Sequence, residues 1–478
     1  MHMELRAHPD DAMKLARLPG LTREGTGRPR SRPVRLVWHD SPDHALRADG
    51  LSLHEARGVW RVEPLDTRQV AWPPATAAPV LHEGASLDLL GMSLPPMLAP
   101  VVAFHGRSTS HALIVAGDAV TLTVLRGAIR RVTDEHPACR VVLEGPDEAV
   151  RALACILAQA ARVAPAAATL GTEALVPSDA PLWLEPASVS DPDLPPGSAF
   201  RLILGGLLRA ILARAPRILS GTGSTEAVHQ MRVAVRRARS AITVFRPAIA
   251  SPALHQASQH LKTLGGQLGP TRDWDVCVTE TLPEVMAALP DHPTLAALDK
   301  ACERRRRESR LALVDYLSSP AFRVLTTELA WLAAAGDWLP SADPTTDLRA
   351  FAAQVLHRRA RKVVVAGRKF ESLDIPALHA MRLRAKRTRY AAEVFAPLFS
   401  GRHAPRYLRR LARLQQALGV LNDGAVADGL LGELGGARGR HAHASGIVTG
   451  FIAYRGASIR PSIEAAFEKF RRTEPFWA

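Results

Sequence analysis

The sequence predicts two regions of different fold class: an α+β region built on an antiparallel sheet, followed by an all-α region. Up to about residue 171, short runs of β-branched and aromatic residues are separated by Gly, Pro and Asp. After residue 197, long stretches rich in Ala, Leu and Arg recur at helical period. Within the second region, residues 226–276 resemble residues 376–426, which indicates a duplicated helical unit.

In the first region, strands are predicted at residues 34–38, 58–62, 111–115, 120–125 and 140–143, and one helix at 146–161. This gives an N-terminal domain over residues 1–172. Residues 173–197 contain repeated prolines and are predicted to form a linker. Helices then fill a domain over residues 198–478, with breaks expected at 220–224, 247–252, 265–270 and 341–346.

The positive charge of the chain belongs to its helical region. The 478 residues carry a net charge of +15. Residues 1–195 hold 19 Lys and Arg against 23 Asp and Glu, whereas residues 196–478 hold 42 against 23. A charge imbalance of this kind concerns binding partners rather than fold, so we expect the helical region to meet a polyanion.

Several protein classes are excluded by simple counts. The four cysteines form no CxxC pair, which argues against a disulfide scaffold and a cysteine-ligated zinc site. The N-terminus lacks the apolar stretch of a signal peptide, and no apolar run approaches the roughly 20 residues of a membrane span. We therefore expect a cytoplasmic protein without membrane association.

The repeat aligns residues 227–247 with residues 377–397 without a gap, and ten of the 21 positions are identical. Such similarity far exceeds chance at ordinary residue frequencies. Two copies favour a pseudo-twofold pair of helical bundles over an open solenoid.

Each copy of the repeat carries a row of cations along one side of a helix. With about 100° per residue, the basic side chains fall within about 80° of one another, and an apolar stripe from Met231 to Phe245 occupies another side. We call the following residues the cationic rows: His229, Arg232, Arg236 and Arg239 in the first copy, and His379, Arg382, Lys386 and Arg389 in the second. Arg237 and Arg387 lie off the rows, on the other flank.

Further basic residues extend this pattern. Four arginines at spacing i, i+3, i+4, i+7 share one helix face: Arg406, Arg409, Arg410 and Arg413. The aligned stretch of the first copy is less basic, with Lys262 nearby. A further basic cluster is predicted on one side of another helix: Arg358, Arg361, Lys362, Arg368 and Lys369. Arg304–Arg307, in contrast, points all round its helix and is predicted to be mostly a solvated surface.

Rows of Arg and Lys with few aromatic neighbours suit phosphate oxygens better than bases. Proteins that bind nucleic acids usually add stacking aromatics or Asn and Gln that contact base edges. Near the rows, only Tyr390 and Tyr407 are aromatic side chains of that kind. The pattern favours a ligand made entirely of phosphate, and non-specific binding of nucleic acid remains the competing hypothesis.

The motif His-x-Met-Arg-x-x-x-(Arg/Lys)-Arg-x-Arg, continued by Phe-x-Pro and a Leu-Gly segment, occurs twice over about residues 198–478. It resembles the CHAD domain, the conserved histidine α-helical domain. This resemblance implies two four-helix bundles related by pseudo-twofold symmetry. It also implies a basic groove that binds inorganic polyphosphate and is lined by the cationic rows, and it suggests an association with polyphosphate granules.

The N-terminal region resembles the CYTH or triphosphate-tunnel family in a degenerate form. Residues 38–46 are similar to that family's Tyr-x-Asp-Thr-Pro segment, and His2, Glu4 and Arg6 stand where the family has Glu-x-Glu-x-Lys. The resemblance implies an antiparallel, tunnel-like sheet that holds a divalent metal and triphosphate.

A divalent metal needs several converging oxygen ligands, and two carboxylates, Glu4 and Glu144, remain here. We therefore predict a non-catalytic module, with no catalytic residue, cofactor or bound metal. Hydrolysis of triphosphate or polyphosphate by this region is the alternative.

Overall fold

In the computed structural model, the described residues are 1–19, 21–23, 29–56, 58–65, 80–82, 97–176, 188–221, 224–335, 339–340, 347–399 and 401–478. They form an N-terminal antiparallel sheet and a mostly helical remainder, which confirms the predicted order of the two fold classes. The tunnel-like closure of the sheet and the pairing of two four-helix bundles stay predictions. None of the described helices is long and apolar enough to cross a membrane.

The sheet contains ten strands among the described residues, in the order β10-β1-β9-β8-β7-β3-β4-β5-β6, with β2 paired to β7. The strands are β1 (His2–Ala7), β2 (Thr22–Arg23), β3 (Arg30–Asp40), β4 (Leu51–Ala56), β5 (Val59–Pro64), β6 (Val80–His82), β7 (Ala99–Val115), β8 (Asp118–Arg130), β9 (Glu135–Glu144) and β10 (Val163–Pro165). All five predicted strands are found, and most extend beyond their predicted bounds because cross-strand pairing carries them on.

One face of the sheet closes over apolar side chains, including Trp38, Phe104 and Ile129, which are at most 1 % exposed. A register shift between Trp38 and His39 marks a bulge in β3. Three short helices accompany the strands: α1 (Ala45–Ala48), α2 (Asp147–Ala160) and α3 (Leu170–Leu175). The predicted helix at 146–161 is thus confirmed as α2, with Asp147 and Glu148 in its first turn, where acidic groups favour the helix dipole.

The helical region begins at Pro196, close to the predicted residue 198. Its helices are α4 (Pro196–Leu219), α5 (Ser224–Phe245), α6 (Pro252–Val276), α7 (Leu282–Ala288), α8 (Pro293–Ser318), α9 (Pro320–Ala335), α10 (Leu348–Ala366), α11 (Ile375–Phe395), α12 (His403–Glu433) and α13 (Ala442–Arg471). A π-helical turn, Cys277–Thr281, joins α6 to α7, and two two-residue strands, β11 (Ile249–Ala250) and β12 (Leu339–Pro340), pair with each other.

Of the predicted breaks, the one at residues 265–270 is wrong, because α6 runs through Gly265 and Pro270. Proline removes one helical hydrogen bond and frees the carbonyl four residues earlier. Gly266 and Pro270 are both exposed, so water can satisfy that carbonyl and the helix continues. The predicted break at 341–346, residues 177–187 of the predicted linker and residues 222–223 lie outside the described residues.

The chain divides into two compact units that alternate along the sequence. The first contains Met1–Glu185, Leu204–Pro216 and Ser318–Asp337, and the second contains Pro186–Ile203, Arg217–Leu317 and Trp338–Ala478. Within the first unit, α9 packs against α2, and Arg151 donates to Glu328 over 2.9 Å. The predicted domain limits at residues 172 and 198 stay a prediction.

Candidate functional site

Both cationic rows lie on helices whose apolar stripes are buried in the second unit. In α5, Met231, Val235 and Phe245 are at most 1 % exposed, and in α11, Met381 and Phe395 are fully buried. Asp374 caps α11 by accepting a hydrogen bond from the Ala377 backbone N–H over 2.8 Å. With the apolar stripes fixed inward, the basic residues are turned toward the surface and the neighbouring helices.

The first row is anchored to α6 at Arg232. The Arg232 guanidinium lies 3.5 Å from the Asp273 carboxylate. A Cβ placed on Gly269 would stand 3.1 Å from the Arg232 Nη1 atom, so the glycine leaves room for the guanidinium. Burial lowers the pKa of Arg232, and the charges of Arg236, Arg272 and Arg382 oppose the effect of Asp273.

The two rows approach each other where α5 contacts α11. Arg236 Nε donates to the Tyr390 hydroxyl over 3.3 Å, and the rings of Phe245 and Phe395 are 5.5 Å apart. Arg382 of the second row is close enough to lower the pKa of Arg232 in the first. The contact therefore brings cations of both copies to one surface.

A carboxylate neutralises two of the predicted cations at this contact. Glu393 accepts from Arg237 Nη2 and from Arg389 Nε, both over 2.7 Å. Arg237 also lies over the Tyr390 ring, 5.7 Å from its centroid. The Arg237 ion pair thus ties α5 to α11, whereas Arg389 pairs with Glu393 within α11.

Lys262 lies on the side of α6 that faces the first row. By helical angle it shares this side, within about 60°, with Gly265, Gly269 and Asp273, of which Gly269 and Asp273 lie close to Arg232. Lys262 itself is exposed. It extends the basic surface along α6, although the sequence showed only that it is near the row.

The four arginines of α12 occupy a different side of their helix from its contact with α11. Gln415, whose side-chain oxygen lies 3.5 Å from Arg389 Nη1, is about 120–180° round the helix from Arg406, Arg409, Arg410 and Arg413. All but the half-buried Arg410 are exposed. Their participation with the rows in one site stays a prediction.

Arg272 is a basic residue near the first row that the repeat did not reveal. Burial lowers the pKa of His229, and the charges of Arg272 and Arg236 lower it further, against Glu226 and Glu280. Arg272 itself donates to Glu280 over 3.0 Å. Its aligned position in the second copy is Asn422, so a search for residues shared by both copies passes over it.

The N-terminal sheet carries a separate polar face. His2, Glu4 and Arg6 of β1 pair in register with Glu144, Val142 and Arg140 of β9. This register places all six side chains on one face, as the alternation in the sequence predicts.

The buried Arg140 offsets much of the negative charge on this face. Its guanidinium lies 2.9 Å from the Glu4 carboxylate and also binds Glu173. Burial raises the pKa of Glu4, and burial together with nearby Glu4 raises that of Glu63. Glu4 is thus engaged by a cation, and no three His, Cys, Asp or Glu side chains among the described residues group closely enough to hold a metal.

Residues 202–432 match the family model of the CHAD domain. A solved CHAD domain from the plant Ricinus communis is 30 % identical, and the match covers 97 % of that chain and 61 % of this one, with a TM-score of 0.52. The chain belongs to the CHAD-domain family. Its CHAD domain contains α5, α6, α11 and nearly all of α12, and therefore both cationic rows.

A second solved structure, PptA from Streptomyces chartreusis, is 19 % identical over 57 % of this chain and all of that chain, with a TM-score of 0.47. No curated protein shows significant similarity to the chain. The resemblance of the N-terminal region to the triphosphate-tunnel family stays a prediction.

Proposed function

We propose that the CHAD domain binds inorganic polyphosphate in a basic groove lined by the two cationic rows. The observation that carries this proposal is the contact between α5 and α11, where Arg236 Nε donates to the Tyr390 hydroxyl over 3.3 Å and Glu393 accepts from both Arg237 and Arg389. A phosphate chain carries negative charge along its whole length, so it can engage both rows at once. Membership of the CHAD family supports the same ligand.

The groove retains cations that its own carboxylates do not cancel. Asp273 forms an ion pair with Arg232, and Glu393 forms ion pairs with Arg237 and Arg389. Arg236 instead donates to the neutral Tyr390 hydroxyl, and exposed Arg239 has no ion pair among the described residues. Phosphate oxygens would relieve the repulsion among these cations, which gives the ligand its binding energy.

The pseudo-twofold arrangement of the two copies would make the groove continuous from one bundle to the other. Arg237 and Arg387 would flank it, and Lys262 and the α12 arginines would extend it. We infer that the protein associates with polyphosphate-rich granules in the cytoplasm, with the N-terminal domain as an accessory module.

Titration of the full-length protein with long-chain polyphosphate tests this function. Binding should weaken steeply as salt rises, because each phosphate contact releases counterions. Competition with tRNA or duplex DNA at equal phosphate concentration separates polyphosphate from nucleic acid. If either nucleic acid displaces polyphosphate at parity, the protein is a general polyanion binder and the proposed specificity is wrong.

A further inference from the structure

A second group of cations lines a pocket on the other side of α11 from its cationic row. The pocket has a volume of about 250 Å³ and lies among α5, α10 and α11. By helical angle, its α11 residues stand at about 80–180° from His379, whereas the row's other members stand at about 280–340°. Its five basic residues are Arg358, Arg359, Lys362, Arg384 and Arg387.

The aligned repeat accounts for the lack of a carboxylate among the described residues that line this pocket. Arg237 and Arg387 are counterparts, and Arg237 donates to Glu393 over 2.7 Å. The counterpart of Glu393 is Thr243, which lines the pocket with Arg387. Arg387 therefore meets a hydroxyl-bearing residue where Arg237 meets a carboxylate.

Two further features increase the positive charge of the pocket. Arg384 has Ala234 as its counterpart, so the first copy lacks this cation. Arg359 is half-buried and donates to the Arg387 carbonyl over 3.5 Å, and burial with the charges of Arg387 and Arg358 lowers its pKa to about 10. No ion pair joins any of the five cations to a carboxylate within the described part of the chain.

We propose that this pocket is a separate site for a compact phosphate anion, which takes the place of the carboxylate missing at Thr243. Guanidinium groups bind phosphate oxygens in pairs, and several converge here. The pocket holds roughly the volume of eight water molecules, which suits a pyrophosphate unit. That unit is either free pyrophosphate or the end of a polyphosphate chain.

The pocket shares Arg387 with the flank of the proposed groove but includes none of the cationic rows, so a variant of the rows can test it alone. In the full-length chain, Arg232, Arg236, Arg382 and Lys386 are all replaced by Ala, which removes groove cations and leaves the pocket intact. Pyrophosphate and long-chain polyphosphate are then titrated in separate arms. We expect one equivalent of pyrophosphate to bind. Equal binding of the long chain would assign the pocket to chain ends, whereas binding of pyrophosphate alone would assign it to the free anion.

Thr243→Glu, added to this variant, supplies the missing carboxylate. It should lower anion affinity at least tenfold and raise Tm in the absence of anion, because the new carboxylate can pair with Arg387 as Glu393 pairs with Arg237. Thr263→Glu is the matched control. Thr243 and Thr263 are both exposed, and each donates to the carbonyl four residues earlier in its helix.

The double variant Arg384→Ala with Arg387→Ala should lose anion affinity to the same extent. Both side chains are exposed, so this variant should fold and can test the pocket if Thr243→Glu fails to fold. The proposal is overturned if neither anion binds the groove-deficient protein. It is also overturned if binding survives the two-arginine variant unchanged, or if Thr263→Glu weakens binding as much as Thr243→Glu.

Discussion

At the scale of single residues, the charge that each cation of the rows can offer a ligand depends on the groups that surround it. The Arg232 guanidinium lies 3.5 Å from the Asp273 carboxylate. It also lies beside Gly269, where a Cβ would stand 3.1 Å from its Nη1 atom. Arg236 binds a neutral hydroxyl, whereas Arg237 and Arg389 share Glu393. The sequence predicted the basic residue types and their spacing. It did not predict these partners, because Asp273 and Tyr390 come from other helices and only the fold brings them near.

Gly269→Ala tests the close approach of Arg232 to α6. The added Cβ would stand 3.1 Å from Arg232 Nη1 and displace the guanidinium, so polyphosphate affinity should fall several-fold. Its counterpart Gly419 has no atom within 4 Å of such a Cβ, so Gly419→Ala is the matched control. Gly419→Ala should raise the free energy of unfolding by up to about 1 kcal/mol, since alanine favours helix over glycine, whereas displacement of Arg232 from Asp273 offsets that gain at Gly269. Equal affinities in the two variants would contradict the proposed role of Arg232.

His229 gives the binding a predicted pH dependence. In the free protein its pKa is lowered by burial and by Arg272 and Arg236, so the imidazole is neutral at pH 7. A bound polyanion raises that pKa, and binding then takes up a proton. Affinity should therefore increase as pH falls below about 6.5.

Measurement of Kd from about pH 7.5 to about pH 5 tests this dependence. His229→Gln should flatten the profile, and His255→Gln, an exposed change on α6, should not. A profile that His229→Gln leaves unaltered would show that another group takes up the proton.

At the scale of elements, the sequence predicted the row-bearing helices well, but in the basic run of α8 it missed one arginine that faces inward. Arg304–Arg307 is not simply a solvated surface, because Arg306 donates over 2.7 Å to Asp275, a fully buried carboxylate on α6. Burial opposes the charge of Arg306, but hydrogen bonds to Asp275 and Glu303 prevail and raise its pKa. The sequence could not predict this, since a consecutive run places one arginine inward only when a buried acid faces it.

Arg306→Ala should lower the free energy of unfolding by about 2 kcal/mol, because it removes the nearer of two arginine partners of a buried carboxylate while Arg310 remains at 3.3 Å. Arg307→Ala, whose side chain is 76 % exposed and pairs with Glu303, should change it by no more than about 0.5 kcal/mol. Chemical denaturation of the two variants measures both values. Comparable losses would mean that the ion pair between α6 and α8 contributes little.

At the scale of the whole molecule, net charge is a poor guide to function because the charge is concentrated in one region. The compact units are also not successive segments of the chain: the first includes α9, which is more than 150 residues beyond α2 in sequence. Local composition showed where strands give way to helices. It could not show that a later helix returns to pack beside α2, because that contact depends on side chains far apart in the sequence.

The packing of α9 on α2 predicts that Cys155 reacts more slowly in the full chain than in a fragment without α9. In the full chain its thiol lies 3.3 Å from Glu328, and burial together with that carboxylate raises its pKa to about 12. A fragment of residues 1–197 lacks α9, so its Cys155 should be alkylated at least about tenfold faster than in the full chain. Buried Cys139 serves as the internal reference. Equal rates for Cys155 in fragment and full chain would contradict the packing of α9 on α2.

The central claim is that the two rows, and not the overall positive charge, bind polyphosphate. The most direct test is titration of long-chain polyphosphate into two full-length variants that each lose four positive charges. One carries Ala at Arg232, Arg236, Arg382 and Lys386. The other carries Ala at Arg130, Arg304, Arg307 and Arg472, which pair with exposed or partly exposed acids outside the groove.

If the rows bind polyphosphate, the first variant should lose affinity for it at least about a hundredfold, and its binding should become less sensitive to salt. The affinity of the second variant should stay within a few-fold of that of the unaltered protein. Equal losses of polyphosphate affinity in both variants would contradict the proposed groove, because binding would then depend on net charge alone.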